Sequence, residues 1–212
     1  MSKLILFQGD SITDCGRARD NAASLGTGYP LLVKSSLGYD CPNEYQFINK
    51  GVSGNRVVDL YARIKSDLIN LKPDYLSIYI GVNDAWHELD NANGVDTAKF
   101  EKIYSMLIDE VKSDLPNIRF MILSPYLLKK GKAKGDDLTY YERFAKDVAE
   151  KHAVTKRLAE KYNVPFVDLQ EAFNEALNLA EHSYWTIDGV HPTPMGHELI
   201  KRKWLEAFEK IK

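Results

Sequence analysis

The chain has 212 residues, with 28 Lys and Arg against 30 Asp and Glu, so its formal net charge is −2. This length favours one compact domain over residues 1–212. A hydrophobic fraction of 44% and a charged fraction of 27% are ordinary for a soluble globular protein. The near-neutral charge disfavours a general nucleic-acid or anionic-membrane surface. Two cysteines, Cys15 and Cys41, are too few for a disulfide framework.

The N-terminal segment does not resemble a targeting signal. It holds one lysine and only a few apolar residues before Gln8, which is too short for a signal peptide. No apolar run approaches transmembrane length. We therefore predict a cytoplasmic protein that binds neither membrane nor nucleic acid.

Short apolar runs alternate with longer amphipathic stretches along the chain. The runs are bounded by Gly, Pro, Asn or Asp, which is typical of strands. The predicted strands are 3–8, 45–49, 75–80, 118–124 and 165–168. Apolar residues at steps of three and four predict helices over 57–71, 100–111, 141–162 and 199–208, the last with Thr193 as N-cap and Pro194 at its first position. This alternation predicts an α/β fold with a parallel sheet covered on both faces.

One stretch departs from this pattern. Residues 127–137 are rich in lysine and follow the fourth predicted strand. The simpler interpretation is a solvated surface loop. The alternative is a lid or a subunit contact beside the functional site.

Four polar motifs lie at the ends of predicted strands or just before the last helix. They are Ser11 after the first strand, segments 49–55 and 81–84 after the second and third, and the pair Asp188 and His191. In open α/β sheets, ligands bind outside the carboxyl ends of the strands. We therefore expect these motifs to meet at one edge of the sheet.

The residue types fit acyl transfer. A serine hydroxyl is a weak nucleophile and needs a base, and the base needs an orienting carboxylate. Ser11, Asp188 and His191 supply these three groups in that order along the chain. The reaction also places negative charge on a carbonyl oxygen, which requires preorganised N–H donors. Candidate donors are the backbone N–H of Ser11, the backbone N–H of Gly54, which has no Cβ to obstruct approach, and the side-chain amide of Asn83 at a loop tip.

Each motif alone has a structural interpretation as a turn, a cap or a loop residue. We expect Asp14 and Asp10 to hold their turn by bonds to the backbone, and Asp10 is also a candidate substrate contact. Cys15 offers a rival thiol nucleophile, although a packed cysteine is the simpler interpretation. The sequence lacks a Gly-x-Ser-x-Gly elbow, a Walker A motif and a zinc-ligand spacing among its five histidines, so we predict no metal and no cofactor.

The four motifs together resemble the SGNH hydrolase superfamily, also called GDSL esterases. The family's blocks are similar here to Gly9-Asp10-Ser11, to Asn49, Gly51 and Gly54, to Gly81, Asn83 and Asp84, and to Asp188 and His191. The resemblance spans nearly the whole chain. It implies a flavodoxin-like three-layer α/β/α sandwich with five parallel strands, and metal-free hydrolysis of small esters.

Segments 11–17, 49–55 and 81–86 further resemble bacterial acetylxylan and acetyl-xylooligosaccharide esterases. Some of those enzymes have a tryptophan immediately before the catalytic aspartate, where this chain has Ile187 and, two residues earlier, Trp185. Trp86 and Trp185 are candidates for packing against a sugar ring or the acyl group, and each has core or rim packing as its alternative. The resemblance also suggests a homo-oligomer.

The sequence therefore predicts a serine esterase of small O-acyl esters, with acetylated carbohydrate as the expected substrate. The first alternative is a thioesterase or lysophospholipase of the same fold. The second is a non-catalytic sugar-binding module, for which a nucleophile, a base and an orienting carboxylate together would have no purpose.

Overall fold

The computed structural model describes residues 2–129 and 138–212. Its strands are β1 (Lys3–Gly9), β2 (Tyr45–Asn49), β3 (Tyr75–Tyr79), β4 (Arg119–Leu123) and β5 (Phe166–Val167). They form one parallel sheet in the order β2-β1-β3-β4-β5, which is the flavodoxin-like order. The five predicted strands and the parallel sheet are confirmed.

Helices cover both faces of the sheet. They are α1 (Ser11–Asp14), α2 (Tyr29–Asp40), α3 (Val57–Ala62), α4 (Ile64–Asp67), α5 (Val82–Asn91), α6 (Thr97–Asp114), α7 (Leu138–Tyr162), α8 (Leu169–Ala176), α9 (His182–Trp185) and α10 (Pro194–Phe208), with a 3₁₀ turn at Ile69–Leu71. Successive β1 side chains enter different cores: Ile5 and Phe7 pack with α2 and α10, and Leu6 packs with α3 and α6. The three-layer sandwich is therefore confirmed.

The predicted helix over 57–71 is wrong in its continuity. The chain breaks at Arg63, which ends α3 and begins α4. The Arg63 guanidinium donates to the carbonyls of Gly9 and Lys50 and to the side chain of Asn55. The Arg63 side chain joins the end of β1 to the loop after β2. These contacts are tertiary, so the spacing of apolar residues in 57–71 could not predict the break.

The helical residues 29–40 and 82–91 were not predicted. Helix α2 contains Ser35, Ser36 and Gly38, which are weak helix formers. Residues 82–84 were expected in a loop, but they form the first turn of α5. In contrast, α10 begins as predicted, with Pro194 first and the Thr193 hydroxyl accepting from the N–H of Gly196 at 3.3 Å.

The stretch 127–137 begins differently from the solvated loop that was expected. Leu127 and Leu128 are buried, and the N–H of Leu128 donates to the carbonyl of Gly189 at 2.9 Å. The start of this stretch is therefore a core segment beside the Asp188 loop. The remainder, 130–137, lies outside the described residues. No helix in the described part of the chain is both long and apolar enough to cross a membrane.

Candidate active site

Ser11 lies at the carboxyl end of β1, as its position in the sequence predicted. Asp10 caps the one-turn helix α1, and its Oδ1 accepts from the N–H of Ile12 at 3.0 Å. Ser11 is the first residue of that helix, so its N–H has no acceptor within the helix. The half-buried Ser11 thus presents both a hydroxyl and a backbone donor at this edge of the sheet.

Ser11, His191 and Asp188 form one hydrogen-bonded chain across 180 residues of sequence. The distance from Ser11 Oγ to His191 Nε2 is 3.0 Å, and His191 Nδ1 is 2.7 Å from Asp188 Oδ2. The other oxygen of Asp188 accepts from the N–H groups of Val190 and His191. Both carboxylate oxygens are therefore engaged, and the aspartate is fixed relative to the ring.

The charges fix the tautomer of the imidazole. Partial burial opposes ionisation of Asp188, but the hydrogen bonds from His191 and Val190 outweigh it and lower its pKa to about 2. An ionised carboxylate can only accept, so Nδ1 carries the proton and Nε2 offers a lone pair to the Ser11 hydroxyl. The same contact with Asp188 raises the pKa of His191 above its ordinary value, against the effect of burial.

The two other candidate donors lie in a turn after β2 and at the start of α5. Gly54 has φ +81, which favours glycine, and the space where a Cβ would sit is open. Asn83 lies in the first turn of α5 rather than at a loop tip, and its Nδ2 donates to the carbonyl of Asn55 at 3.1 Å. A side-chain amide has two N–H groups, so one remains for a ligand.

Asp14 joins the serine block to the glycine block. Its Oδ2 accepts from the N–H and the hydroxyl of Ser53, each at 3.0 Å, and from Arg19 at 3.2 Å. Burial opposes ionisation of Asp14, but these bonds outweigh it and lower its pKa. The structural role predicted for Asp14 is therefore real, but it spans two loops instead of one turn.

Asp10 has no solvent-accessible surface, which favours its structural role over a substrate contact. Burial raises its pKa to about 7, and its Oδ2 has no hydrogen-bond partner in the part of the chain that the structure describes. Asp84 is equally buried. Both its oxygens accept from the N–H of Val57, which ties α5 to the start of α3.

The two candidate tryptophans lie in different surroundings. The Trp86 ring lies 5.9 Å from the ring of His191 and 5.5 Å from that of Phe144. The Trp185 indole donates to the carbonyl of Ala180 and lines a groove of about 470 Å³ between α8, α9 and α10. Trp86 is therefore next to the hydrogen-bonded residues Ser11, His191 and Asp188. Trp185 lies in the separate groove between α8, α9 and α10.

Three residues join the segments at this edge in ways that were not predicted. Asn49 and Asp84 were recognised as parts of motifs without a structural role, and Arg63 was not recognised. The Asn49 amide donates to the carbonyls of Thr13 and Leu25, and its oxygen accepts from the N–H of Gly51. Arg63 gave no local signal. Among residues 2–129 and 138–212, no group of three or more His, Cys, Asp and Glu could hold a metal ion.

Comparisons with known proteins agree with this architecture. The acetylxylan esterase of Geobacillus stearothermophilus is 36% identical over 219 residues, covering 98% of this chain and 95% of that enzyme. Its crystal structure has a TM-score of 0.84 at 35% identity and covers 97% of this chain and 93% of its own. A GDSL-like lipase from Parabacteroides merdae has a TM-score of 0.90 at 35% identity and covers 99% of this chain and 97% of its own.

Two further crystal structures are of catalytic mutants of the Geobacillus enzyme, one with a serine and one with an aspartate replaced by alanine. Each has a TM-score of 0.84 at 34% identity and covers 98% of this chain and 95% of its own. Residues 7–199 match the model of the GDSL-like lipase/acylhydrolase family. The chain therefore belongs to the GDSL-like lipase/acylhydrolase family and is a carboxylic ester hydrolase.

Proposed function

We propose that this protein is a serine acetylesterase that removes acetyl groups from carbohydrate through an acyl-enzyme on Ser11. The observation that carries the proposal is the hydrogen-bonded chain from Ser11 through His191 to Asp188. The similarity to an acetylxylan esterase supports the substrate class. The catalytic serine and aspartate mutants of that relative support the roles of Ser11 and Asp188.

The reaction begins when Nε2 of His191 accepts the Ser11 proton and Oγ attacks the acyl carbonyl. The tetrahedral oxyanion receives hydrogen bonds from the N–H groups of Ser11 and Gly54 and from the free N–H of Asn83. His191 then protonates the leaving alkoxide. Water activated by His191 releases acetate, while Asp188 holds the tautomer and stabilises the imidazolium.

Trp86 is the substrate contact that geometry favours, because its ring borders the ring of His191. We propose that it packs against the acetyl methyl group or the sugar ring. Trp185 and Asp10 have weaker support, since one packs in another groove and the other is fully buried. The one-domain organisation, a cytoplasmic location and a homo-oligomer stay predictions.

The nucleophile is tested by Ser11→Ala. We expect the variant to lose ester hydrolysis and labelling by a fluorophosphonate, and to keep the melting temperature of the parent, because α1 retains its Asp10 cap. Cys15→Ser serves as the matched control and should keep both labelling and activity. Labelling that persists in Ser11→Ala, or a label found at Cys15, would contradict the assignment.

The substrate class is tested by two series. Acetylated xylo-oligosaccharides are incubated with the parent enzyme, and the mass loss of each acetyl group is followed. Alkanoyl esters and thioesters of increasing chain length are compared by kcat/KM. Acetyl esters should be cleaved fastest, because the sequence has no long apolar insertion that would form a deep acyl tunnel. A clear preference for eight carbons or for thioesters would support the rival hydrolases.

A further inference from the structure

Close to the nucleophile, Cys15 forms a pair with a histidine that the proposed reaction does not use. Cys15 directly follows α1, and its N–H donates to the carbonyl of Ser11 at 2.9 Å. Its Sγ lies 3.4 Å from Nε2 of His197 and 3.5 Å from the hydroxyl of Thr27. A thiol, an imidazole and a hydroxyl therefore meet one helical turn from Ser11.

The backbone determines which nitrogen of His197 carries the proton. The N–H of Tyr29 donates to Nδ1 at 3.2 Å, so Nδ1 is an acceptor. His197 is only 5% exposed, and burial, together with the charge of His191, lowers its pKa to about 4. The ring is therefore neutral at neutral pH, and its single proton lies on Nε2, directed at the sulfur of Cys15.

This tautomer excludes His197 as a base for Cys15. Nε2 already carries a proton, and Nδ1 is bonded to the backbone, so the ring cannot take the thiol proton without losing the bond from Tyr29. The Nε2–H group instead points at the sulfur as a hydrogen-bond donor. Thiolates, rather than thiols, are the reactive form of cysteine. The pair is thus arranged for reaction of the sulfur, not for turnover of an ester.

The chain packs closely against the pair on one side and is open next to it on another. A Cβ on Gly28 would lie 2.8 Å from both the Cβ of Cys15 and the Cε1 of His197, so the chain closes against the pair on that side. A Cβ on Gly16 would meet nothing within 4 Å, and Gly16 is exposed. Cys15 itself is only half-buried, so the residue keeps contact with solvent.

We propose that Cys15 is a modification site for low-molecular-weight disulfides, and that the mixed disulfide formed there suppresses hydrolysis at Ser11. The Cys15 thiolate attacks one sulfur of the disulfide and forms a new S–S bond, while the other sulfur leaves as a thiolate and takes a proton from water. Cys15 is oxidised and the leaving half is reduced, so the electrons balance. Excess thiol reverses the reaction.

The modification acts through the nucleophile helix. Conversion of Sγ to a disulfide removes its proton and its charge, which weakens the contacts with Thr27 and His197 that hold the Cys15 side chain. Cys15 has φ 37, a left-handed conformation that is unusual for a non-glycine residue, and its carbonyl accepts from the N–H of Thr27. Displacing it disturbs the one-turn helix that positions the Ser11 hydroxyl.

The test uses oxidised glutathione and the two single-cysteine proteins. Cys41→Ser retains only Cys15, and Cys15→Ser retains only Cys41, which is also half-buried and serves as the matched control. Adduct formation is followed by intact mass at neutral pH, and acetyl ester hydrolysis is measured in the same samples. We expect Cys15 to react about tenfold or more faster than Cys41. Activity should fall with adduct formation at Cys15 and return with a reducing thiol.

Two further results decide the proposal. Cys15→Ser should keep the basal activity of the parent and become insensitive to oxidised glutathione, and His197→Leu should slow the reaction of Cys15. The parent protein also gives an answer without any variant, because peptide mapping locates its adduct. Equal rates at the two cysteines, or full activity in protein modified at Cys15, would overturn the proposal.

Discussion

The ring of His191 has a carboxylate on one side and a hydroxyl on the other, and in the proposed mechanism this arrangement sets the pH at which the enzyme works. Its hydrogen bond with Asp188 is the largest influence and raises the pKa of His191 above the ordinary value of 6.5. Only the neutral ring can accept the Ser11 proton. As the proposed base, His191 is therefore stronger than a free imidazole but is neutral only at higher pH.

The pH profile of kcat/KM should report this shift. We expect it to rise with pH and level off above an apparent pKa higher than 6.5. In Asp188→Asn the main cause of the shift is lost, so the rising limb should move to lower pH. The rate should fall on the order of 10⁴, because the amide permits the wrong tautomer. If the rising limb of the pH profile stays where it is in the parent and the rate of Asp188→Asn falls less than tenfold, Asp188 is not the orienting carboxylate.

Asn83 is the side-chain donor among the three proposed for the oxyanion. Removing one such donor lowers kcat by about 10²–10³, so we expect a loss of this order in Asn83→Ala with little change in KM. Asn91→Ala lies on the same helix at an exposed position and provides the control. Steady-state kinetics on an acetyl ester check the result. A kcat within a few-fold of the parent would mean that Asn83 does not bind the oxyanion and only donates to the carbonyl of Asn55.

At the scale of the elements, the loop that carries Asp188 and His191 depends on one glycine between them. Gly189 has φ +94, and a Cβ there would lie 2.5 Å from the carbonyl oxygen of Leu128. That same backbone segment donates the N–H of Leu128 to the carbonyl of Gly189. The base and its carboxylate are thus pinned to the chain that leaves β4.

Gly189→Ala should therefore cost both stability and activity. The positive φ alone costs about 1–2 kcal/mol for a residue with a side chain, and the contact with Leu128 adds to it. Gly16→Ala is the matched control, since Gly16 has φ +73 and open space at the Cβ position. We expect a lower melting temperature and a lower kcat in Gly189→Ala than in Gly16→Ala. Equal melting temperatures would show that the loop moves to accommodate the methyl group.

The elements also show what the sequence can and cannot reveal. The strands were predictable because buried parallel strands are dense in apolar residues, and the convergence of Ser11 with His191 followed from placing both at strand or helix ends. The break at Arg63 was not predictable, because its hydrogen-bond acceptors lie at the end of β1 and in the loop after β2. The link from Asp14 to Ser53 and the tautomer of His197 are likewise tertiary, since their partners are 39 and 168 residues away.

For the whole molecule, the buried carboxyl of Asp84 links stability to pH. Burial raises its pKa from 3.8 to about 7. Between these values the folded protein binds a proton that the unfolded chain has released. The contribution to stability is thus complete below about pH 3.8 and is lost as the pH rises through 7. The contribution of Asp84 to stability should therefore fall from pH 5 to pH 8.

Asp84→Asn tests this linkage, because an asparagine oxygen can still accept from the N–H of Val57. Denaturant unfolding at pH 5 and pH 8 should show a smaller loss of stability in the variant than in the parent. One proton can change the free energy of unfolding by about 1.4 kcal/mol per pH unit at most. Asp20→Asn, at an exposed position, should leave the slope unchanged. The same slope in Asp84→Asn and the parent would mean that Asp84 is ionised in the folded protein.

The separation of 180 residues between Ser11 and His191 has a consequence for biosynthesis. A ribosome makes Ser11 first and then Gly54 and Asn83. It adds His191, the proposed base, only after almost the whole chain has been made. At about 5–20 residues per second, the nascent chain spends many seconds with its hydroxyl exposed and no partner to activate it. In the proposed mechanism, hydrolysis therefore starts only after the loop of Asp188 and His191 has reached Ser11, and in a refolding experiment the first turnover would time the arrival of that loop.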